Sequence, residues 1–67
     1  MSIQVNGKVI ELEDGAFSID ELLEKFQLQK KISVVEHNKT IVKKEDYSRI
    51  QLTEGDQLEI VHFVGGG

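Results

Sequence analysis

Hydrophobic and polar residues alternate along the first twelve positions, which is the pattern of a β-hairpin with one buried face. Asn6-Gly7 lies at its centre and is a strong turn signal, because a type I′ turn requires positive φ at both central residues. Pairing the strands around this turn gives an apolar face and a more polar face. The first collects Met1, Ile3, Val5, Ile10 and Leu12, and the second collects Ser2, Gln4, Val9 and Glu11. The turn and the polarity pattern therefore specify the same register.

The segment after the hairpin changes to a helical spacing. Its apolar residues recur at i, i+3, i+4 and i+7: Ile19, Leu22, Leu23 and Phe26. Ser18 precedes them as a candidate N-cap, and Glu21 three residues later completes a capping box. We expect a helix that begins after Ser18 and ends near Phe26 or Gln27, although no glycine marks its end.

The rest of the chain predicts three more strands, at 32–36, 40–42 and 57–64. Asn38-Lys39 and 54–56 are turn candidates, and the polar segment 43–49 predicts a loop or a single helical turn. Ile50 and Leu52 are candidate core residues of an irregular stretch. The order is strand, strand, helix, strand, strand, strand. One amphipathic helix packed on a mixed sheet is typical of a two-layer α+β fold.

Composition limits the chemistry that the chain can perform. It has 67 residues and no cysteine, which removes thiol nucleophiles and thiolate metal sites. No serine-nucleophile motif and no phosphate-binding glycine loop is present. His37 and His62 lack the spacing of a zinc site, so we expect each to be a surface or interface residue. The sequence therefore predicts a protein that is not an enzyme and binds no metal.

The net charge of −4 restricts the class of partner. Nucleic-acid binding relies on Lys and Arg, so nucleic acid is disfavoured. The acidity fits a basic protein surface, or it serves solubility alone. No apolar run is long enough to span a membrane, and the first residues do not resemble a signal peptide. We expect no membrane association and a cytoplasmic location.

The triglycine Gly65-Gly66-Gly67, directly after the last predicted strand, is the strongest candidate for function. Three residues without side chains make a slim tether of about 10 Å that can enter a narrow channel of another protein. The carboxylate at its end is a poor electrophile and would need activation, for instance as an acyl-adenylate. The alternatives are a frayed end without function or a cloning scar.

Four segments resemble the ThiS family of sulfur carriers: Ile3–Gly7, Ile19–Leu23, Gly55–Val61 and Val61–Gly67. The last of these is the most specific. The resemblance also includes the order of the elements and the short length, and in that sense extends over essentially the whole chain. Two turns depart from the family pattern. Lys39 stands where many members have glycine, and Lys43 stands where many have proline. Both changes are local and leave the chemistry of the tail untouched.

The resemblance implies a ubiquitin-like β-grasp domain over 1–64 and a flexible tail over 65–67. The domain would hold a mixed sheet of four to five strands on one main helix, in the order β-β-α-β-β-β. Gly67 would be adenylated by an ATP-dependent, ThiF-like enzyme and converted to a thiocarboxylate, with sulfur derived from a cysteine desulfurase. Gly65 and Gly66 would thread into the partners' active sites. The chain itself would bind no cofactor, since the partner uses the ATP.

In this scheme the thiocarboxylate donates sulfur to thiazole synthase during thiamine biosynthesis. Three other functions stay open. The chain could carry sulfur for molybdopterin or cysteine synthesis, act as a ubiquitin-like modifier, or be a plain interaction domain. The short length and the ending Phe63–Gly67 favour the thiazole pathway.

Alternation along the last strand predicts a docking surface beside the tail. If the apolar residues before it face the helix, Glu59, Val61 and Phe63 face outward. Val64 and Val35 are expected to join this apolar patch, with Glu59 and Glu36 as an acidic rim. The alternative is ordinary surface hydrophobicity, because single apolar residues are common on protein surfaces.

Overall fold

The computed structural model describes residues 1–13, 15 and 17–63, and it opens on the predicted hairpin. Strand β1 (Ser2–Val5) pairs antiparallel with β2 (Lys8–Glu11). Asn6 and Gly7 turn the chain with φ of 51° and 84°, as the Asn-Gly signal requires. Ile3 lies opposite Ile10, so the register is the one that the polarity pattern predicts.

Helix α1 (Ile19–Lys25) begins at the predicted capping box. The Glu21 backbone N–H donates to the Ser18 hydroxyl oxygen, and the Ser18 N–H donates to the Glu21 carboxylate. The helix ends because Gln27 adopts a φ of 59°. The N–H groups of Gln27 and Leu28 then donate to the carbonyls of Glu24 and Leu23, which is a Schellman ending built without glycine.

Three strands complete the sheet: β3 (Ser33–His37), β4 (Thr40–Ile41) and β5 (Gln57–His62). The strand order is β2-β1-β5-β3-β4. β5 runs parallel to β1 and antiparallel to β3, so the sheet is mixed. The third strand begins one residue later than predicted, since Ile32 closes a short 3-10 turn. A second 3-10 turn, Lys44–Asp46, occupies the polar segment where a single helical turn was one of the two predictions.

The core lies between α1 and one face of the sheet. Its buried hydrophobic residues are Ile3, Val5, Leu12, Ile19, Leu22, Leu23, Val35, Val42, Tyr47, Leu52, Leu58 and Ile60. Leu52 confirms a predicted contact, and Ile50 is partly buried against the same cluster. Tyr47 is a core residue that the sequence did not predict, because it lies in a polar segment. Its hydroxyl donates to the Ser33 carbonyl oxygen at 3.4 Å.

The order of the elements is the predicted one, with one main helix on a five-stranded mixed sheet. This is a two-layer α+β fold, in which one face of the sheet is covered by the helix and the other is open. Within the described part of the chain, no helix has the length and apolar character needed to cross a membrane.

Candidate functional site

The last strand, β5, lies in the middle of the sheet, between β1 and β3. Its pairing with β3 continues to Phe63, whose backbone N–H donates to the Ile32 carbonyl at 2.8 Å. Phe63 is the last residue described, so Val64, Gly65, Gly66 and Gly67 lie outside the described residues. The fold thus fixes the point from which the predicted tail continues.

Two large apolar side chains lie exposed on the open face at this end of β5. Val61 is 54% exposed and Phe63 is 59% exposed, and Glu59 is exposed on the same strand. Val34 lies directly opposite Val61 on β3 and is half-buried. Glu59 and Val61 on β5 and Phe63 directly after it are therefore exposed, as the alternation predicted.

Val35 does not belong to this patch, and that prediction is wrong. Its exposure is 0%, because it lies opposite Ile60 and packs in the core. Residues directly opposite each other on antiparallel strands point to the same face of a sheet. Val34 is the valine that faces outward. Two adjacent valines gave no polarity signal to distinguish them, and buried Ser33 on the core side obscured the alternation.

Glu36 and Glu59 lie directly opposite each other on the open face. Like charges at directly opposed positions of a sheet are destabilising. Among the described residues, neither carboxylate forms an ion pair. Glu36 and Glu59 line a depression of about 110 Å³ in which Lys39 is the cationic residue. Two carboxylates and one ammonium group leave this part of the open face with a net negative charge beside its apolar patch.

The start of β5 is held by a buried carboxylate. Asp56 accepts hydrogen bonds from the Thr53 backbone N–H at 2.8 Å, the Thr53 hydroxyl at 3.1 Å and the Asn38 side chain at 3.2 Å. The His37 Nε2 lies 2.8 Å from the same carboxylate. Burial alone would raise the pKa of Asp56, but the hydrogen bonds from His37, Thr53 and Asn38 outweigh it and hold the pKa below its usual value.

The lowered pKa of Asp56 predicts an acid-sensitive contribution to stability. The contribution is present above about pH 4, the pKa range of an unfolded Asp, and is lost as pH falls through the lower folded pKa. We expect Asp56→Asn to lower the free energy of unfolding by about 1–3 kcal/mol at pH 7 and to flatten its decline below about pH 4. Urea unfolding at several pH values tests this, with the exposed Glu45→Gln as control. If the free energy of unfolding of Asp56→Asn fell below about pH 4 as steeply as that of the wild-type chain, the role assigned to Asp56 would be contradicted.

His62 is the second histidine, and it lies near the end of β5. It is half-buried, and its Nε2 accepts a hydrogen bond from the Gln29 backbone N–H at 3.3 Å. Both histidines are partly exposed, as a surface position requires, and each has an intramolecular hydrogen-bond partner. Among the described residues, no cluster of three side chains has the arrangement of a metal site.

Comparison with known proteins places this geometry in a family. The family model described as the ThiS family matches residues 3–67. The chain belongs to the ThiS family. The sulfur carrier protein ThiS of Bacillus subtilis is 46% identical over 65 residues, which cover 97% of this chain and 98% of that protein.

Two further similarities extend the comparison. The crystal structure of the thiamine biosynthesis protein (ThiS) from Geobacter metallireducens has a TM-score of 0.85 and 29% identity, covering all of both chains. It confirms the predicted ubiquitin-like β-grasp fold for this ThiS family member. The thiazole synthase of Magnetococcus marinus is 37% identical over 67 residues, which are all of this chain but 20% of that protein.

Proposed function

We propose that this chain supplies sulfur for the thiazole ring of thiamine, as a thiocarboxylate formed on Gly67. The observation that carries the proposal is the match to the ThiS family, which runs to residue 67 and so includes the triglycine. The similar protein from Bacillus subtilis is named a sulfur carrier. The chain is accordingly a sulfur carrier and not a catalyst, and we expect it to act in the cytoplasm.

The chemistry at Gly67 needs an activating partner. A terminal carboxyl group with an ordinary pKa of about 3.3–3.7 is ionised at neutral pH and resists nucleophilic attack. A ThiF-like enzyme would join it to the AMP portion of ATP and release pyrophosphate. The outer sulfur of a persulfide formed by a cysteine desulfurase would then displace AMP to give an acyl disulfide. A thiol reductant would cleave the S–S bond of that disulfide and leave the thiocarboxylate. Gly65 and Gly66 suit this task because they add length to the arm without adding side chains.

Thiazole synthase is the partner that would receive the sulfur. In the Magnetococcus marinus enzyme and in that of Paramagnetospirillum magneticum, a segment similar to this whole chain makes up 20% of the polypeptide. A carrier-like segment joined to the synthase in one chain supports direct contact between the two activities. The separate chain would achieve the same contact by docking.

The surface proposed for docking is the end of the open sheet face, formed by Val34, Val61 and Phe63 with Glu36 and Glu59 beside them. We call this set the docking face. Exposed apolar side chains beside unpaired like charges cost stability, or at best add none, in the isolated protein. A partner that covers the valines and places Arg or Lys against the glutamates would relieve both features. Val64, the remaining residue predicted for docking, lies outside the described residues.

Intact-mass spectrometry tests the proposed function. We expect incubation with ATP, a ThiF-like enzyme, a cysteine desulfurase with its cysteine substrate and a thiol reductant to replace one terminal oxygen of the chain by sulfur. Omission of ATP should abolish the shift, because the carboxylate would not be activated. An unchanged mass in the complete mixture would refute the proposal. Isopeptide-linked conjugates would instead identify a ubiquitin-like modifier.

A further inference from the structure

The side chain of Asn6 is hydrogen-bonded to the backbone of β5. Its Oδ1 accepts from the Ile60 N–H at 2.7 Å, and its Nδ2 donates to the Ile60 carbonyl at 3.1 Å. One amide thus satisfies both backbone groups of Ile60, as a residue of a neighbouring strand would. Since β1 itself ends at Val5, the Asn6 side chain extends the parallel pairing beyond the last residue of the strand.

The two flanks of β5 are held differently near its end. On the β3 side, backbone pairing continues through His62 to Phe63. On the β1 side, the last backbone contact is the Asn6 N–H donating to the Leu58 carbonyl at 2.9 Å. Beyond Leu58, the Asn6 side chain is the support that the described residues supply on this flank. Without it, the stretch from Ile60 to Phe63 would be paired from one side alone.

The direction of this stretch matters because it carries the reactive end. Three residue steps from Ile60 to Phe63 reach at most about 10–11 Å, so a tilt of about 10° at Ile60 would displace the point where the predicted tail begins by about 2 Å. Reactions between bound groups are sensitive to such displacements, and an error of about 1 Å can cost about a hundredfold in rate. A bond that fixes β5 at Ile60 therefore acts on the placement of the carboxylate.

We propose that Asn6 is a positioning residue for activation of Gly67, acting through the backbone of Ile60. The inference rests on the proposed function, since it assumes that the end of the chain is the group that reacts. It assigns to the Asn-Gly turn a task beyond reversing the chain: the residue that makes the hairpin also aligns the strand that leads to the tail.

The molecule contains a matched control at the other end of β5. Asn38 also opens a hairpin turn, with a φ of 50°, and its Oδ1 accepts from the backbone N–H of Gln57 at 2.9 Å. Asn38 also donates to the Asp56 carboxylate at 3.2 Å. Glycine tolerates positive φ, so Asn6→Gly and Asn38→Gly keep both turns and remove the side-chain bonds. The added freedom of the unfolded chain is the same kind of cost in both variants. Each variant thus loses a bond from a turn asparagine to the backbone of β5, near the end of the strand for Asn6 and at its start for Asn38. Asn38→Gly also loses the bond to Asp56.

The test measures steady-state adenylation by a ThiF-like enzyme for the wild-type chain and both variants, together with urea unfolding and amide exchange. For Asn6→Gly we expect kcat to fall about tenfold, with the KM for the carrier unchanged because the docking face is intact. The Ile60 amide should exchange faster. For Asn38→Gly we expect wild-type kcat and KM despite an equal or larger loss of stability.

Each other outcome has a definite meaning. Equal kcat values for the two variants, or an effect of Asn6→Gly on KM alone, would overturn the positioning role. If the wild-type chain itself is not adenylated, the proposed function fails, and the failure is then not specific to Asn6. Loading of the wild-type chain with normal kcat for Asn6→Gly would refute the role of Asn6 alone.

Discussion

A tryptophan appended after Gly67 will leave the domain folded but lower thiocarboxylate formation by at least about a hundredfold. The added residue shifts the carboxylate outward by about 3.5 Å and places an indole ring where the arm has no side chain. A channel shaped for glycine cannot accept the ring, and the new carboxylate is out of line with the activating groups. Intact mass and single-turnover adenylation rates measure the loss.

A second extension separates the effect of a longer arm from the effect of a bulky side chain. A glycine appended at the same place shifts the carboxylate equally but adds no side chain, so we expect loading to be weaker than wild type yet well above that of the tryptophan extension. Equal unfolding free energies for the three chains would show that the domain is unaffected. Loading of the tryptophan extension at the wild-type rate would be incompatible with a threaded arm.

Local signals predicted the hairpin and the start of the helix well. The Asn6-Gly7 turn and the Ser18–Glu21 capping box each depend on residues within four positions of one another, so their geometry follows from a short stretch of chain. The end of α1 was less distinct, because Gln27 takes the left-handed conformation that glycine usually supplies. A rule based on residue type identifies such an ending poorly.

Pairing between distant segments was not available from the sequence. Whether Val34 or Val35 faces outward depends on the register of β3 against β5, which lie far apart in the chain. Alternation gives two opposite faces but does not say which one is buried when both neighbours are apolar. The burial of Tyr47 was not predicted for the same reason. It depends on contact with a distant segment, where the Ser33 carbonyl accepts a hydrogen bond from the Tyr47 hydroxyl.

The same difference between local signals and long-range pairing applies to the candidate site. The chemistry proposed for Gly67 was implied by the resemblance to the ThiS family, and only the side-chain-free arm itself could be identified from composition. The contacts that hold the strand before this arm could not be identified from composition. The bonds from Asn6 to Ile60 span 54 residues, and the opposed pair Glu36 and Glu59 exists only because β3 and β5 are neighbours. Long-range pairing thus determines how β5 is held near its end and which side chains lie beside it.

Lysine substitutions at the two adjacent valines provide the second large effect. Val35→Lys would place an ammonium group at a position with 0% exposure, between the helix and the sheet. An unpaired buried charge costs several kcal/mol, whereas the core of a domain this small supplies about 3–5 kcal/mol in total. We expect Val35→Lys to be largely unfolded at neutral pH, as circular dichroism and proteolysis would show.

Val34→Lys introduces the same side chain one residue earlier, on the open face. Its ammonium group reaches water, so we expect a folded chain with a loss of stability below about 1 kcal/mol. The apolar patch of the docking face is nevertheless interrupted, and a positive charge faces a partner surface that we propose to be basic. The KM for adenylation should therefore rise about tenfold or more while kcat changes little.

A folded Val35→Lys would contradict the register of β3 against β5. A Val34→Lys variant with wild-type KM would remove the docking face from the mechanism while leaving the chemistry of Gly67 in place.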